Sequence, residues 1–133
     1  MKFVAEHLGL PARNPTELKD WYVSTLGAEL LHDNGETPPA YFVGLGGGLM
    51  LEIYQSGRDS RDTADNSVAG FRHLALEVES IEAARAHLEA RGVKFSEPVK
   101  PAGGGGRVQF FRDGEDNLLH LVERPEDSVL RRS

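Results

Sequence analysis

The feature that most limits how this chain can fold is that it states one pattern twice. His7-Leu8-Gly9-Leu10 is matched by His73-Leu74-Ala75-Leu76, and Leu51-Glu52-Ile53-Tyr54 by Leu119-His120-Leu121-Val122. The spacing is nearly conserved, 45 residues from His7 to Glu52 and 47 from His73 to His120. Such duplication implies two copies of one supersecondary unit, packed as a pair rather than stacked as a solenoid.

Each copy has the same order of local signals. Alternation over residues 3–10 predicts a strand, with His7 on the face of Phe3 and Ala5. Asn14-Pro15-Thr16-Glu17 then predicts a helix start: an N-cap, a proline at the first helical position and a capping-box carboxylate. Leu18, Trp21, Tyr22 and Leu26 share one helical face, and Gly27 is the terminator. Strands are expected near residues 29–32, 41–43 and 49–54, separated by Asn34-Gly35, Pro38-Pro39 and Gly46-Gly47-Gly48. Residues 55–70 are polar, with little to bury, and are expected to be a linker. The order then recurs, with a strand over 71–78, a helix capped by Ser80 and ended by Gly92, and strands near 93–95, 107–112 and 118–123. Gly103 to Gly106 read as a flexible loop. The expectation is an α+β chain: module one at about 1–55, a linker at about 55–70, module two at about 70–124 and a loose tail at 125–133.

Composition narrows the function classes. At 133 residues, 39% hydrophobic and 27% charged, the chain has the size and make-up of one globular domain. It contains no long apolar run, so a membrane span is not expected. MKFVAEHLGL places Glu6 and His7 where a secretion signal would be apolar, so it is read as a first strand and a cytoplasmic location is expected. There is no cysteine, so any metal must be held by imidazole and carboxylate. A net charge of −6 with scattered basic residues argues against nucleic acid and leaves a small molecule as the expected partner.

The duplicated positions His7, Glu52, His73 and His120 each lie between apolar neighbours within an expected strand. Alternation turns Leu8, Leu51, Ile53, Leu74, Leu119 and Leu121 toward the helices and the four polar side chains to the opposite face. Polar groups on the inside of a curved sheet are costly to desolvate without a partner. A divalent cation supplies one, and imidazole with carboxylate suits zinc, nickel, iron, cobalt or manganese. A lone strand histidine is more often a hydrogen-bonded core residue, but three of the five histidines occupy repeat-equivalent positions. His32 and His87 lack that relation and are read as surface or packing residues.

These residues resemble the vicinal oxygen chelate superfamily of glyoxalase I, methylmalonyl-CoA epimerase, fosfomycin-resistance proteins, extradiol dioxygenases and bleomycin-binding proteins. The resemblance spans about residues 3–123. It is carried by His7-x-x-Leu10, by Trp21-Tyr22 leading to Leu26-Gly27, by Leu51-Glu52, by Phe71-x-His73-Leu74-Ala75-Leu76, and by Phe111-Arg112-Asp113 with Asn117-Leu118-Leu119-His120-Leu121. It implies two βαβββ modules in a curved, cup-like mixed eight-stranded sheet with the helices outside. It also implies one divalent transition metal, zinc or nickel before iron, cobalt or manganese, and a homodimer. The implied activity is a lyase or isomerase acting on vicinal oxygens through a metal-stabilised, enolate-like intermediate. Glu52 or Glu77 would move the proton. Alternatives within the superfamily are an Fe(II) dioxygenase or a non-catalytic antibiotic-binding protein. His120 departs from the family, which usually has glutamate there, and Asp113-Gly114-Glu115-Asp116-Asn117 stands where Asp-Pro-Asp-Gly-Asn is common. With Pro11 near the end of the first strand, where glyoxalase I carries an arginine, a glutathione adduct is not the expected substrate. Tyr54, Arg107 and Gln109 are read as possible substrate contacts.

Overall fold

The computed structural model describes residues 1–59 and 62–131. Ser60 and Arg61 of the expected linker, and Arg132 and Ser133 of the expected tail, lie outside the described residues. The chain divides into two compact units, Met1–Ser60 and Arg61–Ser133.

The first unit runs β1 (His7–Ala12), α1 (Pro15–Leu26), β2 (Glu29–Asp33), β3 (Ala40–Gly44) and β4 (Met50–Gln55). Its sheet has the order β1-β4-β3-β2, with β1 parallel to β4 and the other pairs antiparallel. Helix α1 begins where the sequence places it. The Asn14 side chain accepts from the Glu17 backbone N–H at 3.1 Å, and Pro15 takes the first turn, where its missing N–H costs nothing. Gly27 ends the helix with φ 70° while its N–H reaches the Tyr22 carbonyl, a left-handed cap that a side chain would strain. Leu18 and Tyr22 of α1, with Val43 and Ile53 of the sheet, are at most 1% exposed, and they form the core of this unit. Burying each such side chain is worth roughly 1.5–3 kcal/mol.

The first strand starts at His7, four residues later than the alternation suggests. Its partner sets the limit: β4 begins at Met50, opposite His7, directly after the Gly46–Gly48 turn. Phe3 and Val4 therefore remain 89% and 84% exposed.

The second unit repeats the plan with β5 (His73–Glu77), α2 (Ile81–Glu89), β6 (Lys100–Pro101), β7 (Arg107–Arg112) and β8 (Leu118–Glu123). Its order, β5-β8-β7-β6, is the order of the first sheet, again with one parallel pair. Ser80 caps α2 by accepting from Ala83 N–H at 3.2 Å, and Ile81 and Leu88 anchor the helix in the core. The fold is thus α+β, its eight strands held in two mixed four-stranded sheets among the described residues.

One expected strand is corrected. Residues 93–95 are not in a strand, and β7 instead pairs with the two-residue β6. Phe95 packs its ring on Phe111 at 5.5 Å, and the buried Gln109 side chain donates to the Glu97 carbonyl at 2.6 Å. A side chain thus satisfies backbone that a strand ladder would otherwise serve. Pro101, lacking an N–H, limits the ladder further.

Candidate metal centre

In the first unit His7 and Glu52 converge as the repeat suggests. His7 opens β1, and Gly9 and Phe42 are the register partners of Glu52 on either side. His7 Nε2 stands 3.5 Å from Glu52 Oε1, with both side chains about one-third exposed. Its Nδ1 lies 2.9 Å from Glu6 Oε1. A carboxylate can only accept, so Nδ1 carries the proton in the neutral ring and the Nε2 lone pair faces Glu52. Two donors each about 2.0–2.2 Å from a tetrahedral ion stand about 3.4 Å apart, so this spacing suits a shared cation. Without an ion, an imidazolium between Glu6 and Glu52 would satisfy the same contacts.

The second unit has no such alternative. His73 and His120 meet edge to face, with ring centroids 4.6 Å apart. His73 Nδ1 donates to Asn66 Oδ1 at 2.7 Å, which leaves its Nε2 as the electron-pair donor. His120 is 7% exposed, and among the described residues neither of its ring nitrogens has a hydrogen-bond partner. Burial first, then the charges of His73 and Arg124, lower its pKa to about 4. It is therefore neutral at physiological pH, the form that can bind a metal. A buried, partnerless imidazole is costly unless something absent from the polypeptide engages it. The donor set thus fits a divalent metal, although no three His, Asp or Glu side chains cluster as one metal-binding group among the described residues.

Other candidates divide by sheet face. Tyr54 shares the face of Glu52, its ring lying over Gly9, where an added Cβ would sit 3.3 Å from the ring. Glu77 closes β5 on the face of His73 and is exposed. Arg107 and Gln109 lie on the other face of β7. Gln109 pairs in register with the buried Leu121, and Arg107 with Glu123, so both point away from His120. Arg107 is engaged by Glu82 and Glu123 at 2.9 Å, and Gln109 by Glu97 and Arg85.

Sequence reasoning missed three residues. Phe42 is the neighbour of Glu52, and Phe110 that of His120, stacked on its ring at 5.0 Å. The two phenylalanines are another repeat-equivalent pair, visible as an aromatic at the matching place on β3 and β7. Asn66 had no legible signal, because it lies in the stretch read as a linker. Arg72 donates to the carbonyls of Asp62 and Asp65, and Asn66, next to Asp65, meets His73.

The model of the Glyoxalase/Bleomycin resistance protein/Dioxygenase superfamily matches residues 5–121. The chain belongs to that superfamily. Among solved structures, a glyoxalase family protein from Enterococcus faecalis is 31% identical, with TM-score 0.76 over 90% of this chain and 97% of that one. An antibiotic binding protein from Streptomyces sp. CB03234, TnmS3, is 25% identical, with TM-score 0.70 over 93% of this chain and 98% of its own. The fosfomycin resistance protein FosX from Listeria monocytogenes, in an E126Q form complexed with Mn(II) and 1S,2S-dihydroxypropylphosphonic acid, shares the fold. Its TM-score is 0.70 at 19% identity, over 99% of this chain and 98% of its own. The superfamily contains both enzymes and binding proteins, and its fold accommodates a divalent ion. No helix among the described residues is long and apolar enough to cross a membrane.

Proposed function

We propose that His7, Glu52, His73 and His120 hold one divalent transition metal, and that the protein is a metal-dependent lyase or isomerase for a small substrate with vicinal oxygens. The observation that carries this is His120, buried with both nitrogens unpartnered. Zinc or nickel suits three imidazoles and one carboxylate, with iron, cobalt or manganese as alternatives. A bound divalent metal supplies Lewis acidity to two adjacent substrate oxygens and makes the neighbouring C–H more acidic.

The chain's own residues do the rest. Glu52 has a second carboxylate oxygen with which to take and return a proton, and it is accessible enough to do so. Glu77, on the face of His73, is the second proton carrier. Tyr54 and Phe42 line the Glu52 face, the first over Gly9 and the second against the His7 ring. Glu6 and Asn66 fix the rings of His7 and His73 through Nδ1. The two pairs join within one chain or across a homodimer.

Metal analysis after supplementation tests the site, with about one equivalent expected if all four donors serve a single ion. Less than about a tenth of an equivalent of any transition metal would overturn it. Deuterium exchange into α-hydroxy carbonyl compounds tests the proton transfer, and Glu52→Gln should abolish it. If the bound metal is iron and exchange is absent, oxygen consumption with catechols points to the dioxygenase instead. The likeness to TnmS3 favours a second function, antibiotic binding without turnover. In that case ligand binds and protects the protein thermally while no exchange occurs.

A further inference from the structure

We propose that His32 is a substrate-contacting residue of module one, and that the substrate is an extended anion. This deepens the proposed function and rests on its metal site. The alternation of β2 alone gives His32 no relation to the duplicated residues. The structure supplies one through an irregularity: the β2–β3 register is Leu30 to Val43 and then His32 to Phe42, so Leu31 is an extra residue in a β-bulge. Bulges re-aim side chains. Val43 faces the helical core at 0% exposure, whereas Phe42 faces the other way, toward His7 and Glu52. The bulge therefore moves His32 onto the face of Glu52, where its ring lies 6.2 Å from that of Phe42. Leu31 lies across Gly44 on the same face, with Cδ1 3.1 Å from where a Gly44 Cβ would stand.

The result is a cross-strand row, Gly9–Glu52–Phe42–His32, one residue from each strand of the sheet. With strands about 4.8 Å apart, His32 stands roughly 10 Å from Glu52, with a flat apolar ring between them. Module two has a related edge but not the same register. Phe110 again follows His120, but Lys100 on the outermost strand stands opposite Val108, its ammonium 5.2 Å from the Phe110 centroid and 3.1 Å from Glu97 Oε1. Lys100 is thus already paired with a carboxylate, whereas His32 ends its row, exposed, beyond Phe42. An exposed imidazole at that distance from Glu52 suits holding an oxyanion at the far end of a ligand whose near end is chelated. The carrier is a chelating hydroxy- or oxo-acid with an apolar middle and a distal carboxylate or phosphate.

Calorimetric titration of the zinc-supplemented protein with mandelate and with 4-carboxymandelate tests this directly. Both probes offer vicinal oxygens and a ring, and only the second has a distal anion. The wild-type protein should bind 4-carboxymandelate at least tenfold more tightly. His32→Ala should erase that preference and leave mandelate binding unchanged. His32→Gln, which keeps a hydrogen-bond donor, should retain part of it. Equal affinity of the wild type for the two probes, or a His32→Ala variant weakened equally for both, overturns the role of His32. Metal content of the same samples separates the two levels: a metal-loaded protein with no preference overturns only this inference, and absence of metal overturns the site itself.

Discussion

At the scale of single residues, His120 decides most. A buried imidazole with two unsatisfied nitrogens destabilises the metal-free protein, because each lost hydration bond goes unreplaced. His120→Leu keeps the volume and removes the unsatisfied atoms. It should raise the stability of the metal-free protein by about 1–3 kcal/mol, and it should abolish stabilisation by added zinc. Urea unfolding in chelator and in zinc measures both effects. A variant less stable in chelator would show that His120 is held by the polypeptide and not reserved for an ion. The four proposed donors stand out in the sequence because duplication singles them out. Asn66 and His32 do not, since one depends on a turn tied by Arg72 and the other on a bulge, and neither event is periodic.

At the scale of elements, legibility followed local chemistry. The start of α1 is set by Asn14 and Pro15, and β7 and β8 by short apolar runs bounded by the Gly103–Gly106 run and the Asp113–Asn117 turn, so their limits agree with the sequence. The strand expected at 93–95 is absent and the contacts there are tertiary: Phe95 packs on Phe111, and the Gln109 side chain of β7 donates to the Glu97 carbonyl two residues on. Gly106 is equally non-local: its φ is 102°, and a Cβ there would run into the Glu123 carbonyl. Glu123 also ties β8 to α2, accepting from the Ile81 N–H at 2.9 Å and from Arg107. The Ile81 backbone bond first, then Arg107, hold its carboxyl below the ordinary value of 4.5. A depressed carboxylate adds stability that is complete above its unfolded pKa and is lost as pH falls through the folded one. Unfolding followed from pH 7 downward should therefore show stability declining below about 4.5. Glu123→Gln should flatten that decline and cost about 1 kcal/mol at pH 7. An unaltered acid profile would show that the contact carries no linkage.

At the scale of the whole molecule, the duplication means that each module carries half of the proposed donor set. Two variants separate pairing within a chain from pairing across a dimer. One has His7→Ala with Glu52→Ala, so its first module is empty; the other has His73→Ala with His120→Ala, so its second is. Alone, neither should retain metal. Pairing across a homodimer makes a mixed dimer hold one site with both modules mutated and one with both intact. Random reassociation of equal amounts then restores about a quarter of the wild-type metal, because about half of the dimers are mixed. Pairing within each chain restores none, since every chain keeps one empty half. Metal bound per chain after mild unfolding and joint refolding is the readout, and restored exchange activity should follow the same fraction. Full metal retention by either variant alone would mean that two donors suffice, and the duplicated halves would then be two sites rather than one.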